Sequence, residues 1–514
     1  MAIFQAFTTM FVHIVNPQNF PTFAFTAVAL LSALWLLGRQ DSLPELNPRK
    51  PFEFTNRRRI LEFIRNSKTI LGEGRQRFKD KPYKLMSEWG SMVVLPPECA
   101  DELRSDPRMD FSTPVEDVDS HAYIPGFEPL QGDPHVNQVV TKYLTKALNK
   151  ITTPLSEEAS TAVRDVLTDN PVWHELSPYA ALLQIVARLS TRVFLGEAMC
   201  SDPEWIQAST EYTTMAFGIG DKLRSIPRSL RWTISWFLPS CYELRRKLTK
   251  CRKVLAPHIA RRKSMVAEAE GRGEKISFDD SIEWFEKEYA GAPHDAAIKQ
   301  VTLSVVAIHT TTDLLLQTMS DIAMHPELFE PLREEVVRVL TKEGLKKASL
   351  QSLKLMDSVL KESQRLKPSL LGSFRRQATE DVKLTNGYII PKGTRIVIDS
   401  SHMWSSAYYD DPEKYDGYRF LKKRETPGED KNTQLVSTSA AHMGFGHGVH
   451  ACPGRFFAAN EVKIALCHLL LKYDWRLPMG HRPQPMTHGM TYLTDPTTKM
   501  EFRRRTEELN LEQL

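Results

Sequence analysis

The chain has 514 residues, 41% of them hydrophobic, and 67 Lys and Arg against 63 Asp and Glu give a formal net charge of +4. That length and apolar content supply a large buried core, and the near balance of charge, with no arginine-rich arm or zinc-finger spacing, excludes nucleic acid as a partner. The six cysteines (Cys99, Cys200, Cys241, Cys251, Cys452 and Cys467) are scattered without a pairing pattern, as in a reducing compartment.

Residues 1–21 contain no Lys or Arg and are expected to be a short luminal segment. Residues 22–38 (TFAFTAVALLSALWLLG) carry no charge. A spanning helix needs about 20 apolar residues, with about 17 as the lower bound, and uncharged Asn19, Phe20 and Pro21 extend this run. Arg39, Arg49, Lys50 and Arg57 to Arg59 follow, so the positive-inside rule places the rest of the chain in the cytosol. A cleaved signal peptide, the rival reading along with a core helix, ordinarily opens with positive charge. Residues 39–52 hold Pro44, Pro48 and Pro51, a stiff linker to a globular part at 53–514.

Apolar residues recur at helical spacing in Leu155–Leu167, Pro178–Phe194, Leu244–Ala267 and Leu328–Leu340. The longest predicted helix runs from about Asp295 to Met324 and stops before Pro326. Leu223 to Pro239 mixes basic residues with Ile226, Trp232, Trp236 and Phe237, a composition suited to a membrane surface and equally to a core helix pair. Val382–Ile390 carries an Asn386-Gly387 hairpin signal, and Arg395–Ile398 reads as another short strand. The fold class is therefore mainly α with a small β-rich subdomain. A long irregular stretch, Ala407–Gly444, follows, and such loops are uncommon unless functional.

That loop leads into Phe445-Gly446-His447-Gly448-Val449-His450-Ala451-Cys452-Pro453-Gly454. Pro453 reads as the first position of a helix, which would set free N–H groups around the sulfur and favour its thiolate. Gly446 and Gly448 permit backbone angles closed to other residues. His442, His447, His450 and Cys452 also fall close enough together to suggest zinc, although no standard ligand spacing is met.

The F-G-x-G-x-H-x-C-x-G pattern resembles the haem-binding signature of the cytochrome P-450 family. The resemblance implies that haem b is the cofactor, with Cys452 the axial thiolate on its iron, and that Phe445 and Gly454 belong to the haem-binding loop. It implies that His450 and Arg376 meet haem propionates, with Arg375 an alternative to Arg376. It also implies that Glu362, Arg365 and Arg419 form a buried cluster locking the Ala407–Gly444 meander. Glu362 and Arg365 are spaced three apart on one helix face, where they can pair. In Ala307-Ile308-His309-Thr310-Thr311-Thr312, the family's A-G-x-(D/E)-T pattern puts Thr311 at the proton-delivering threonine. Ile308 and Thr310 replace the usual glycine and acid, leaving His309, Thr310 with water, or other groups altogether to serve the relay. The family's W-x-x-x-R motif is absent, and His135 stands near its place.

The implied reaction is monooxygenation of an apolar small molecule by O2, with electrons from NADPH through a membrane-bound cytochrome P-450 reductase. Lys422, Lys423, Arg424 and Arg455 are the candidate docking face. The implied site is the endoplasmic reticulum membrane, spanned once, with membrane lipid as a further partner. The expected pocket wall comprises the Phe111–Phe127 loop, Val306, Ala307 and Leu370–Phe374. The A-I-H-T-T-T variant resembles fungal members that act on diterpenoids and indole-diterpenes, such as the ent-kaurene oxidases. A haem isomerase or dehydratase working without a reductase, and a non-catalytic zinc scaffold, are the rival readings.

Overall fold

The computed structural model describes residues 43–79, 81–115, 121, 123–224 and 226–514. Contacts divide the chain into residues 1–45 and a body, 46–514. The expected luminal segment and anchor lie outside the described residues. Among those described, no helix is long and apolar enough to cross a membrane.

The body is built from helices α1 (Arg57–Phe78), α2 (Thr145–Leu167), α3 (Pro178–Phe194), α4 (Pro203–Arg224), α5 (Arg228–Ser235), α6 (Pro239–Gly271), α7 (Ala296–Met324), α8 (Phe329–Glu343), α9 (Lys354–Leu366) and α10 (Arg455–Lys472), with shorter helices between them. A five-stranded sheet stands beside them. Its strands are β1 (Tyr83–Ser87), β2 (Gly90–Leu95), β3 (Met109–Asp110), β4 (Gly372–Ala378) and β5 (Arg395–Asp399), in the order β1-β2-β5-β4-β3. Only β2 and β5 pair in parallel, with Val93 opposite Ile396. The expected hairpin forms, pairing Val382–Lys383 with Ile389–Ile390.

Helix α7 is the axis of the helical core. The Asp295 carboxylate caps its start, accepting from the Ile298 N–H at 3.1 Å, and Pro326 lies just past its end. Its 29 residues are apolar on nearly every side, because α3, α4, α6, α9 and α10 all pack against it. That arrangement explains a sequence with no single hydrophobic stripe. A second, smaller core joins α1 to the sheet through Phe63, Leu71, Leu85 and Val397.

The meander is irregular because its fastenings are side chains rather than a backbone ladder. Glu362 and Arg365 on α9 are both fully buried. Arg365 donates to both Glu362 oxygens at 2.7 and 2.8 Å, and its remaining nitrogen reaches the carbonyls of Met403 and Pro412. Arg419 donates to the same Glu362 carboxylate at 3.0 Å and to the carbonyls of Asp410, Asp411 and Lys414. One buried carboxylate thus holds two guanidinium groups, and these gather carbonyls of a loop that has little backbone ladder of its own.

Removing one member of such a cluster leaves a buried charge unpaired. Arg365→Ala is expected to cost about 3–5 kcal/mol. The check is the denaturation midpoint and the pigment content of the purified full-length protein; an unchanged midpoint contradicts this role.

Candidate active site

The meander runs directly into the Phe445–Gly454 loop. The Cys452 N–H donates to the Phe445 carbonyl at 2.8 Å, closing the loop on itself. Gly448 has φ +77°, and a Cβ there would lie 2.1 Å from the Arg104 carbonyl oxygen. Gly444 meets α9 as closely: a Cβ there would lie 2.3 Å from Gln364 Oε1. The glycines therefore serve close approach, joining the loop to the helix of the acid–arginine cluster.

The helix after the cysteine begins at Arg455, with Gly454 as its N-cap, and not at Pro453 as the sequence suggests. Cys452 therefore precedes the cap. Cys452 is exposed, yet the protein packed around its sulfur pushes the thiol up, while the N–H groups of Gly454 and Arg455 and the Arg455 guanidinium pull it back. A bound cation settles the matter, since a metal-coordinating thiol is deprotonated outright.

Beside this loop is a polar corner. Strand β4 carries a bulge between Ser373 and Arg376, and Phe374 within it has φ 61°, the left-handed region. The irregularity sends the two arginines to different places. Arg375 lies over Trp89 at 4.3 Å from the ring centre, whereas Arg376 lies over Phe374 and Phe111 at 4.5 and 5.1 Å. His450 stacks on the other partner of that group, Phe111, at 5.3 Å. Arg376 is 3% exposed, and its one side-chain hydrogen bond goes to the Arg375 carbonyl. Burial lowers it to about 10. A buried guanidinium that Asp110 reaches only at a distance, with no carboxylate in direct contact among the described residues and with an imidazole beside it, fits the anionic edge of a prosthetic group. The buried Nε of Arg455, which also has no partner, fits the same need.

On α7, Val306 is 54% exposed and Thr310 is exposed one turn later, although both lie mid-way along a helix packed on nearly every side. They mark the wall of an internal cavity. Thr311, the residue singled out by the motif, is 4% exposed, and Ile308 is 1% exposed. The open hydroxyl is therefore that of Thr310, which donates to the Val306 carbonyl at 3.3 Å. His309 faces elsewhere. Its Nε2 lies 2.7 Å from Thr213 Oγ1 on α4, and its Nδ1 lies 3.4 Å from the Tyr179 hydroxyl on α3. Thr213 already donates to the Thr210 carbonyl, so Nε2 carries the proton and Nδ1 accepts. Burial lowers the imidazole to about 4, so it is neutral, with both nitrogens engaged.

Other sequence candidates separate. His442 bonds to the Lys361 carbonyl and His447 to Asp101, so these histidines do not converge with Cys452 on zinc. Among the described residues no group of three or more His, Cys, Asp or Glu could hold a metal ion. His135 is tied to Asp133 at 2.8 Å and stacks on Tyr289. Arg424 is not a surface charge: it pairs with buried Asp357 at 3.0 Å, leaving Lys422 and Lys423 as the exposed part of that run. Residues 116–120 and 122 of the Phe111–Phe127 loop lie outside the described residues. Sequence reasoning missed the buried pair of Asp313 on α7 with Lys367 just after α9. Its only signal is an aspartate within an otherwise apolar helix.

If Arg376 and the Gly448 contact hold the prosthetic group, Arg376→Ala should weaken its retention roughly tenfold or more. Gly448→Ala should do so by displacing His450. Haem loss to an apo-globin acceptor measures both, and parent-like loss rates contradict the assignment.

A cytochrome P450 family profile matches residues 134–502. The chain is 52% identical over 502 residues to the cytochrome P450 monooxygenase eqxH of Fusarium heterosporum, covering 97% of each chain. It is 40% identical to the cytochrome P450 monooxygenase TRI1 of Fusarium sporotrichioides, covering 92% of this chain and 87% of that one. It is 41% identical to ptmU of Penicillium ochrochloron, a cytochrome P450 monooxygenase, over 91% and 93% of the two chains. The retinoic acid-bound cyanobacterial CYP120A1 shares the fold, with a TM-score of 0.65 at 18% identity over 87% of this chain and 96% of that one. The match to the family profile and to full-length relatives, on a fold that closes the cysteine loop just before α10, makes this chain a member of the cytochrome P450 family of haem-dependent monooxygenases.

Proposed function

We propose that this enzyme inserts one oxygen atom from O2 into an apolar substrate of terpenoid or indole-diterpene type, in fungal secondary metabolism. Its electrons come from NADPH through a cytochrome P450 reductase. The observation that carries the substrate reading is the cavity wall on α7: Val306, Ala307 and Thr310 offer it one hydroxyl and no charge. A site of that kind binds by apolar area and orients by few polar contacts. The A-I-H-T-T-T variant of the helix supports the terpenoid class, and the fungal relatives support a fungal monooxygenase.

Haem, when bound, supplies the redox chemistry on dioxygen. The chain supplies the rest. Cys452 would hold the iron, and Arg376 with His450 would hold the propionates. Thr310 places a hydroxyl on the cavity wall, where it can keep a water in place. Lys422 and Lys423, close in sequence to the buried Arg419, are the charges left to meet an acidic reductase surface.

The enzyme is further proposed to sit on the cytosolic face of the endoplasmic reticulum membrane, anchored by residues 22–38. Around α5, Leu230, Trp232 and Trp236 are about half exposed, and Phe237 is 81% exposed. These side chains do not form the core helix pair that their sequence equally allowed. An apolar patch flanked by Arg228 and Arg231 suits the lipid interface, where it admits apolar substrates from the bilayer.

Co-expression with a fungal reductase and feeding of polycyclic terpenoids should give products gaining one oxygen, only with NADPH and O2. Product formed without either supports an isomerase or dehydratase and contradicts the proposal. For the membrane contact, amides of residues 226–238 should gain protection from hydrogen exchange when the full-length enzyme moves from detergent to vesicles. Unchanged exchange contradicts it.

A further inference from the structure

The cavity face of α7 does not end at Thr310. At about 100° per residue, Val306, Thr310, Asp313, Gln317 and Asp321 fall within a strip about 80° wide. The last three are buried, at 7%, 7% and 4% exposure, in a helix otherwise dominated there by Leu, Ile and Met. They are joined by hydrogen bonds. Lys367 donates to Asp313, whose other oxygen accepts from the Thr494 N–H at 2.9 Å. The Thr494 hydroxyl donates to Gln317 Oε1 at 3.4 Å, and Gln317 Nε2 donates to Asp321 Oδ1 at 2.9 Å.

At the far end, Ser363 stands between Asp321 and the Tyr415 hydroxyl and hydrogen-bonds with both, which favours the ionised form of each. Gln317, Asp321, Lys367 and Tyr415 also line a cleft of about 1470 Å³ that opens past Lys79 and Lys81. A hydrogen-bonded polar stripe therefore runs from this cleft along α7 to Asp313, on the same helix face as Thr310, a threonine whose neighbouring acid is missing and whose neighbouring histidine is tied up.

We propose that this stripe is the enzyme's proton inlet, carrying protons from the cleft along Asp321, Gln317 and the Asp313–Lys367 pair to Thr310. The inference rests on the monooxygenase reading, because that reaction consumes protons inside the cavity. Asp321 takes a proton from cleft water and passes it inward. The Gln317 amide orients the bridging water and is not itself protonated. Lys367 gives a proton toward the cavity, with Asp313 steadying its charge, and regains one from the Asp321 side. Each group ends as it began, and the net change is one proton moved from cleft to cavity. Burial above all, with a smaller push from Glu362, raises the Asp321 carboxyl to about 7 against the lowering by Ser363, Gln317 and Lys367. It can therefore both hold and release a proton near neutrality.

Asp321→Asn and Gln317→Leu in the full-length, haem-loaded enzyme test this. Asp321 lies eleven residues past Thr310, about 16 Å along the helix, so its replacement leaves the cavity wall untouched. With reductase present, Asp321→Asn should slow NADPH oxidation at least about tenfold and raise its solvent deuterium isotope effect. The absorption of the reduced, carbon monoxide-bound form should not change. In the infrared, a protonated-carboxyl band lost in Asp321→Asn should shift within the mixing time in D2O, and Gln317→Leu should leave that exchange fast while slowing NADPH oxidation. Parent rates and isotope effects in both variants overturn the inlet. If the parent itself consumes no NADPH, the monooxygenase reading fails, and the infrared band still decides the connection to water: slow exchange overturns it.

Discussion

The structure depends on a carboxylate that is never exposed. Glu362 accepts from Arg365 and Arg419 at once, and those two guanidinium groups take up four carbonyls of the meander and that of Met403 just before it. The meander has little backbone ladder of its own, so its path is set by where those donors point. It ends at the cysteine loop, which is pinned again by the near-contacts of Gly444 with α9 and of Gly448 with Arg104. A cluster away from the cysteine thus fixes the path of the chain into the Cys452 loop. Such a device is costly to desolvate, and an apolar substitute of similar volume could be as stable. What the ions add is direction: each Arg nitrogen aims at a particular carbonyl.

The central helix divides its faces between tasks. The His309 side is a dry junction, with a neutral imidazole bridging α3 and α4 and Phe217 edge-on to the ring. The Thr310 side is open, and polar residues continue along it to the cleft. The motif register of the family points to Thr311, whereas burial points to Thr310. The two residues are about 100° apart on the helix, so only one can share the face of Val306. Reading Ala307 in the position of the motif's glycine restores agreement, with His309 then in the position of the acid.

Much of this was legible in the chain. The long helix, the hairpin at Asn386-Gly387, the loop of residues 445–454 and the Glu362–Arg365 spacing all signal locally, through periodicity, turn chemistry or a dense motif. Where the helix starts after Cys452 was not legible, because proline tolerates a first helical turn without requiring one. The fate of Arg424 was not legible either: a Lys-Lys-Arg run looks solvated until Asp357, 67 residues away, is found against it. The separation of Arg375 from Arg376 needed the bulge in β4, and the Asp313–Lys367 pair needed the packing of α7 against the end of α9. These are long-range facts with no local trace.

The central claim is that Cys452, delivered by the meander, is the thiolate on a haem iron. The absorption spectrum of the reduced, carbon monoxide-bound full-length protein tests it most directly, with Cys452→His alongside. The account predicts a strongly red-shifted Soret band in the parent that moves back to shorter wavelength in the variant while haem is still bound. A parent spectrum without that shift, or a variant that keeps it, would contradict the account.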